Sequence, residues 1–171
     1  MDDDHPKRQK TNLINYFSTY LKVIISSILR SNNMSENFSD ELIKNIIHGN
    51  EHIVGHRKES FGVNAERIEW VFSKANSFND IKDKKTRIIK KATAVLAGIS
   101  WQQPFNNGNK TTAVIVTKYF LRKNRFDLRL STEQEEDELI DLLTKTMYKY
   151  EDDPTIFSEV EEYLDGKVVL V

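Results

Sequence analysis

Two stretches of the chain combine residue types that can do chemistry. The first is Gln103-Pro104-Phe105-Asn106-Asn107-Gly108-Asn109-Lys110-Thr111. Pro, Gly and three Asn within seven residues make a loop. The stretch after it reads as a helix. A loop that ends at a helix N-terminus presents backbone N–H groups with no intrahelical partner, and the helix dipole favours an anion there. Gly108 permits a positive φ and the close approach of a phosphate. Lys110 adds positive charge in the first turn. The chemistry these residues suggest is the cradling of a phosphate. The same composition also fits a plain helix–helix connection. A nucleotide P-loop is excluded, because Asn109 rather than Gly precedes Lys110 and the preceding element reads as a helix.

The second stretch is His48-Gly49-Asn50-Glu51-His52, with His56 one turn further on. It fits H-x-x-E-H, in which two histidines four apart on a helix share a zinc ion and the Glu acts as base. Gly49 and Asn50 weaken the helix this needs, and no second motif marks a third ligand. The alternative is an exposed helix end with polar side chains, and no metal ligand is assigned.

The elements that must position these residues can be read from spacing. Leu42, Ile43, Ile46 and Ile47 give one helical face, with Ser39 as N-cap and Phe38 and Ile43 at hydrophobic-staple spacing. An earlier helix runs from Thr11 to about Arg30, and Ser31–Asn37 reads as a loop. Residues 54–63 read as irregular or hairpin-like. Asn64 caps a short helix carrying Ile68, Val71 and Phe72. A longer helix starts near Asn79 or Asp80. Its apolar face widens at residues 94–98 into Ala-Val-Leu-Ala-Gly, which predicts a central, mostly buried helix. Residues 111–121 are helical. Thr132 and Glu135 form a capping box for a helix to about Tyr150, with residues 133–138 a solvated helix start. Asp153-Pro154 opens a last helix that Gly166 stops. The apolar tail 168–171 reads as a packed C-terminus.

Composition sets the outer bounds. The chain has 171 residues, a net charge of -1, 39% hydrophobic residues and no Cys. Disulfides, thiolate zinc sites and cysteine nucleophiles are excluded. The charge balance carries no electrostatic footprint for nucleic acid. The longest nearly apolar run, Leu21–Leu29, is too short to cross a membrane. The expectation is a cytoplasmic protein with a flexible N-terminus at residues 1–10 and one all-α domain over 11–171 whose core lies at about 40–150.

The loop resembles that of the Fic/Doc family, which reads HPFx(D/E)GN(G/K)R between two central helices. Pro104, Phe105, Gly108 and Asn109 match at the right spacing, and Lys110 matches the Doc-type version. His48 followed by Ile53, Gly62-Val63 and Ile68 to Ala75 is similar to the helix, flap and helix upstream of that loop. The resemblance implies a Fic/Doc-like helical domain of roughly six or seven helices, with room for a small β-hairpin flap. It also implies transfer of part of a nucleotide: AMP from ATP onto a protein hydroxyl, or phosphate in Doc-type members. It assigns the first loop position, here Gln103, to the general base. The acidic position, here Asn107, holds Mg²⁺. Asn106, Asn107, Gly108, Asn109, Lys110 and Thr111 form the nucleotide-phosphate cradle, and an Arg stands where this chain has Thr111.

The departures weigh as much as the matches. A carboxamide at Gln103 cannot take a proton. Asn107 offers a neutral oxygen in place of a charged hard-ion ligand. Thr111 and Val114 replace the arginines. Loss of a general base alone typically costs about 10²–10⁴-fold, so the chain is expected to transfer little. Asp127 is a downstream carboxylate with no motif around it. The family's inhibitory (S/T)xxxE(G/N) has only a near miss from Ser31 to Glu36-Asn37. Phe105 should bury its ring and anchor the loop, and Trp70 and Trp101 read as core or rim residues. The expected ligands are ATP and Mg²⁺, the metal weakened by Asn107. The expected partners are an ATP-like nucleotide and a target or regulatory protein, with no nucleic acid and no membrane. Two alternatives stay open: a non-catalytic interaction or toxin–antitoxin-type module, and an H-x-x-E-H zinc hydrolase.

Overall fold

The computed structural model describes residues 36–171. The helix expected over Thr11–Arg30 and most of the Ser31–Asn37 loop lie outside the described residues. The described residues form six helices and two short strands: α1 (Asp40–His56), α2 (Ala65–Asn76), α3 (Lys84–Gln102), α4 (Asn109–Lys123), β1 (Phe126–Leu128), α5 (Glu133–Met147), α6 (Thr155–Lys167) and β2 (Val168–Leu170). The domain is all-α, as the spacing of apolar residues implied.

α3 is the axis of the fold. It packs against α2, α4, α5 and α6. All but one of its residues from Ile88 to Ser100 are buried, because a helix surrounded on all sides must be apolar all round. α4 lies beside it and is also buried over most of its length. In this core Phe38 stacks on Phe120 at 4.8 Å between centroids and meets Phe72 in a tilted pair at 5.0 Å.

Local signals explain most helix ends. Ser39, Asn64 and Thr132 each accept a hydrogen bond from a first-turn backbone N–H. Glu135, the acidic member of the capping box, accepts from Ser131 N at 2.6 Å and also interacts with the Thr132 amide. Three boundaries differ from the sequence expectation. α3 begins at Lys84, because Asp83 accepts from both the backbone and the hydroxyl of Thr86. The carboxylate of Asp83 thereby outcompetes Asn79 and Asp80 as a cap. Asp153 does cap α6 through Thr155 N, one residue earlier than a formal N-cap. Gly166 does not stop α6, which runs on to Lys167 and passes directly into β2.

The β content of the described residues is one two-stranded antiparallel sheet. Its register pairs Phe126 with Leu170, Asp127 with Val169 and Leu128 with Val168. The apolar C-terminal tail thus pairs with the chain's own β1, with Val168 buried and Leu170 and Val171 exposed. Residues 57–64 are irregular. α1 continues through Gly49 and Asn50, both buried in its inner face, and so reaches His56. Too few residues then remain before α2 for two paired strands. This segment forms a flap joined to the loop by an isolated bridge between Val63 and Phe105. The start of α5 is also less solvated than its charge suggested, since Glu136 is buried.

Candidate functional site

The loop between α3 and α4 starts at a C-cap that is unusual for its residue type. Gln103 sits in the left-handed region at φ 48 and ψ 56, a conformation that costs most side chains roughly 1–2 kcal/mol. Its surroundings hold it there. The Gln103 backbone N–H donates to Ile99 O at 3.2 Å. Its side-chain Nε2 donates to Ser100 O, and its Oε1 accepts from Asn109 Nδ2 at 3.1 Å. Arg67 of α2 donates to Gln102 O at 3.1 Å and so satisfies a carbonyl at the end of α3. Both ends of the Gln103 carboxamide are therefore engaged in fixing the loop.

Asn109 is the second fastener and is buried. Its Oδ1 accepts from Phe105 N at 2.9 Å and its Nδ2 donates to Phe105 O at 2.7 Å. The Phe105 ring is 3% exposed and belongs to the core, so it anchors the loop as its type suggested. The flap clamps the same turn from outside: Asn64 N donates to Pro104 O at 2.7 Å and Asn106 N to Gly62 O at 3.0 Å. The backbone N–H of Asn106, one of the residues expected in the cradle, is thus committed to the flap. A Cβ at residue 62 would lie 2.2 Å from the Asn106 amide, so glycine there permits the close approach.

Asn50 of α1, which is 1% exposed, reaches in from below. Its Nδ2 donates to Asn107 O at 2.9 Å and to Thr112 Oγ1 at 3.0 Å. Above it Gly108 takes φ 76. Any side chain there would meet Asn50 Nδ2 at 2.9 Å and Val54 Cγ1 at 3.1 Å. The positive φ expected of Gly108 is therefore matched by a steric need for no Cβ. Gly108 provides no side-chain cap, and the α4 ladder begins with Thr112 N donating to Gly108 O at 2.9 Å. The amides of Asn109, Lys110 and Thr111 precede that ladder, and with the dipole they make the end of α4 electropositive.

Above this turn lies a depression of about 250 Å³ lined by Arg57, Glu59, Met147 and Gln103 together with residues 106–111. It gathers Gln103 and the six residues expected in the cradle, while Pro104 and Phe105 lie outside its lining. It also contains charges that the loop motif did not indicate. Arg57, just past the end of α1, donates from Nη2 to Thr111 Oγ1 at 3.0 Å. Glu59 of the flap adds a carboxylate. Lys110, expected to offer its charge in the first turn, donates its ammonium to Thr144 Oγ1 of α5 at 2.9 Å. No local pattern marked Arg57, because its partner is 54 residues away.

The residues present do not fit Mg²⁺ well. Asn107 donates from Nδ2 to Ser60 O at 2.9 Å and Ser60 Oγ at 3.1 Å, so the loop itself offers a neutral carbonyl oxygen, and the carboxylate lining the depression is that of Glu59 on the flap. Hard dications select charged oxygen ligands. Among the described residues no group of three His, Cys, Asp or Glu side chains could hold a metal ion. The H-x-x-E-H segment does lie on an unbroken helix, contrary to the weakening expected from Gly49 and Asn50. His48 Nδ1 is 3.2 Å from Glu51 Oε2 in an exposed pair.

Other candidates sit elsewhere. Asp127 is on β1, 3.0 Å from Arg122 Nε. Glu36 of the near-miss inhibitory motif pairs with Arg87 on α3, and Ser31 lies outside the described residues. Val114 is fully buried in the core. Trp70 and Trp101 meet edge to face at 5.7 Å, with Trp101 Nε1 donating to Lys149 O at 3.1 Å. A larger groove of about 580 Å³ lies between α3 and α6, and none of its lining residues belongs to the loop. No helix among the described residues is long and apolar enough to cross a membrane.

The model of the Fic/DOC family covers residues 32–121, which is 90 of the 171 residues and more than half of the chain. No curated protein and no solved structure matches.

Proposed function

The chain belongs to the Fic/DOC family, and on that premise we propose that it binds the phosphates of an ATP-like nucleotide at the α3–α4 loop and transfers from it poorly or not at all. The observation that carries this reading is the dual use of the loop. Its frame is held by buried carboxamides, and the uncapped first turn of α4 faces a depression bordered by Arg57 and Lys110. That arrangement offers an anion several N–H donors and positive charge, and the loop residues 103–111 include no carboxylate and no imidazole. Gln103, at the position of the family's general base, is a neutral group with both polar ends engaged. Proton abstraction from a target hydroxyl is therefore missing from the loop, and so is the charged oxygen that would hold Mg²⁺.

The test uses the whole chain with ATP, with and without Mg²⁺. Calorimetry reads binding, and mass spectrometry of chain and candidate target reads AMP or phosphate addition. The expected result is binding that depends weakly on Mg²⁺, with no modification above background. Gln103→His alone should leave transfer near background, because groups acting on one transition state are strongly non-additive. Gln103→His combined with Asn107→Asp should do measurably better. Transfer by the unaltered chain would overturn the impaired reading. Absence of nucleotide binding would favour the interaction-module alternative.

A further inference from the structure

This inference rests on the reading of the loop as a phosphate cradle. The loop position at which the family carries an arginine is Thr111, so α4 itself supplies no guanidinium to a bound anion. Another element delivers one to the same place. Arg57 forms the C-cap of α1, and its Nη2 is 3.0 Å from Thr111 Oγ1. Arg57 borders the same depression as residues 106–111. The charged residues lining that depression are Arg57, Lys110 and Glu59, which gives two cations against one carboxylate.

We infer that Arg57 is an anion-binding residue of this site, replacing from the end of α1 the guanidinium that position 111 lacks. Thr111 orients it. A guanidinium is a rigid fork of N–H donors, so one hydrogen bond to a fixed hydroxyl can aim it while its charge acts on a phosphate. The two positions are reciprocal: a short side chain at 111 leaves room for Arg57, and an arginine at 111 would put two guanidinium groups in one place. Glu59 opposes the anion, so the site is tuned by a cation and a carboxylate two residues apart on the same segment.

The experiment titrates the full chain with ATP and, separately, with inorganic pyrophosphate, at low and moderate salt. Arg57→Gln should weaken both by about tenfold or more, the usual size of a lost charge-assisted contact, with an unchanged circular dichroism spectrum and melting temperature. Thr111→Val should weaken both by about threefold, since the charge stays and its orientation is lost. Arg57→Gln with Thr111→Arg should recover most of the loss. Glu59→Gln should tighten both probes. If the unaltered chain binds and Arg57→Gln binds within about twofold of it, the inference fails and the cradle reading stands. If the unaltered chain binds neither probe, the cradle reading falls and takes the inference with it.

Discussion

The loop end of α3 and the stretch around Lys91 on the same helix are both polar, and they use their polar groups in opposite ways. The two lie about 18 Å apart along the helix axis by the usual rise per residue. Lys91 is fully buried. Its ammonium donates to Glu36 O at 2.8 Å, Asn37 Oδ1 at 3.2 Å and Asn79 Oδ1, one acceptor for each of its three protons. Arg87 donates to the Glu36 carboxylate through Nε and Nη2, and to the carbonyls of Ile81 and Lys82 through Nη1. Every charge there has an internal partner. At the loop the frame is held by neutral carboxamides, Asn50, Gln103 and Asn109, while Arg57 and Lys110, each hydrogen-bonded to a threonine hydroxyl, border an open depression together with Glu59. The first arrangement is a fastener that holds residues 36–37 and the α2–α3 connection onto α3. The second is a rigid frame with charged side chains at the rim of an open depression.

The comparison breaks most visibly at Lys91. Lys91→Met keeps the volume and removes three donors, leaving buried acceptors and the Glu36 region without their cation. A loss of about 3 kcal/mol in denaturant-measured stability is expected, with nucleotide affinity of the folded fraction unchanged. A comparable fall in affinity would show that the two regions are coupled through α3.

Gly108→Ala should cost less stability and more binding. The positive φ and the contact with Asn50 together are worth roughly 1–2 kcal/mol. The main consequence should be displacement of the first turn of α4 and loss of phosphate affinity, read by titration beside a melting curve. Retained affinity would mean that the turn is not the cradle.

The smallest effect concerns acid. The hydrogen bond from Arg87 holds the Glu36 carboxyl below its ordinary value of 4.5, against the opposing effect of burial. A depressed folded-state pKa stabilises the fold fully above the unfolded value and is lost as pH falls through the folded one. Stability should therefore drop as pH is lowered below about 4.5, and Glu36→Gln should make that drop shallower by less than about 1 kcal/mol. Loop binding should not follow this titration. Burial meanwhile lowers the pKa of Lys91, so its ammonium depends on the three oxygens around it.

The helices and the loop were legible from sequence because their causes are local. Caps at Ser39, Asn64 and Thr132, the widening apolar face before Gly98 and the Pro-Phe-Asn-Asn-Gly-Asn run all act within one or two turns of chain. The positive φ of Gly108 and the anchoring of Phe105 were legible for the same reason. Where neighbouring residues competed locally the reading slipped: Asp83 won the cap of α3 because a carboxylate reaches both the amide and the hydroxyl of Thr86, and Gly49 and Asn50 stayed helical because the core they face outweighs their propensity. The charge of the site was not legible. The loop sequence displays the absence of its arginine at Thr111, whereas the guanidinium that stands there belongs to Arg57. Lys110, whose place in the motif pointed at the anion, turns its ammonium to Thr144. Side chains that long are placed by the elements that pack around them, and only the tertiary structure brings the end of α1 to the start of α4.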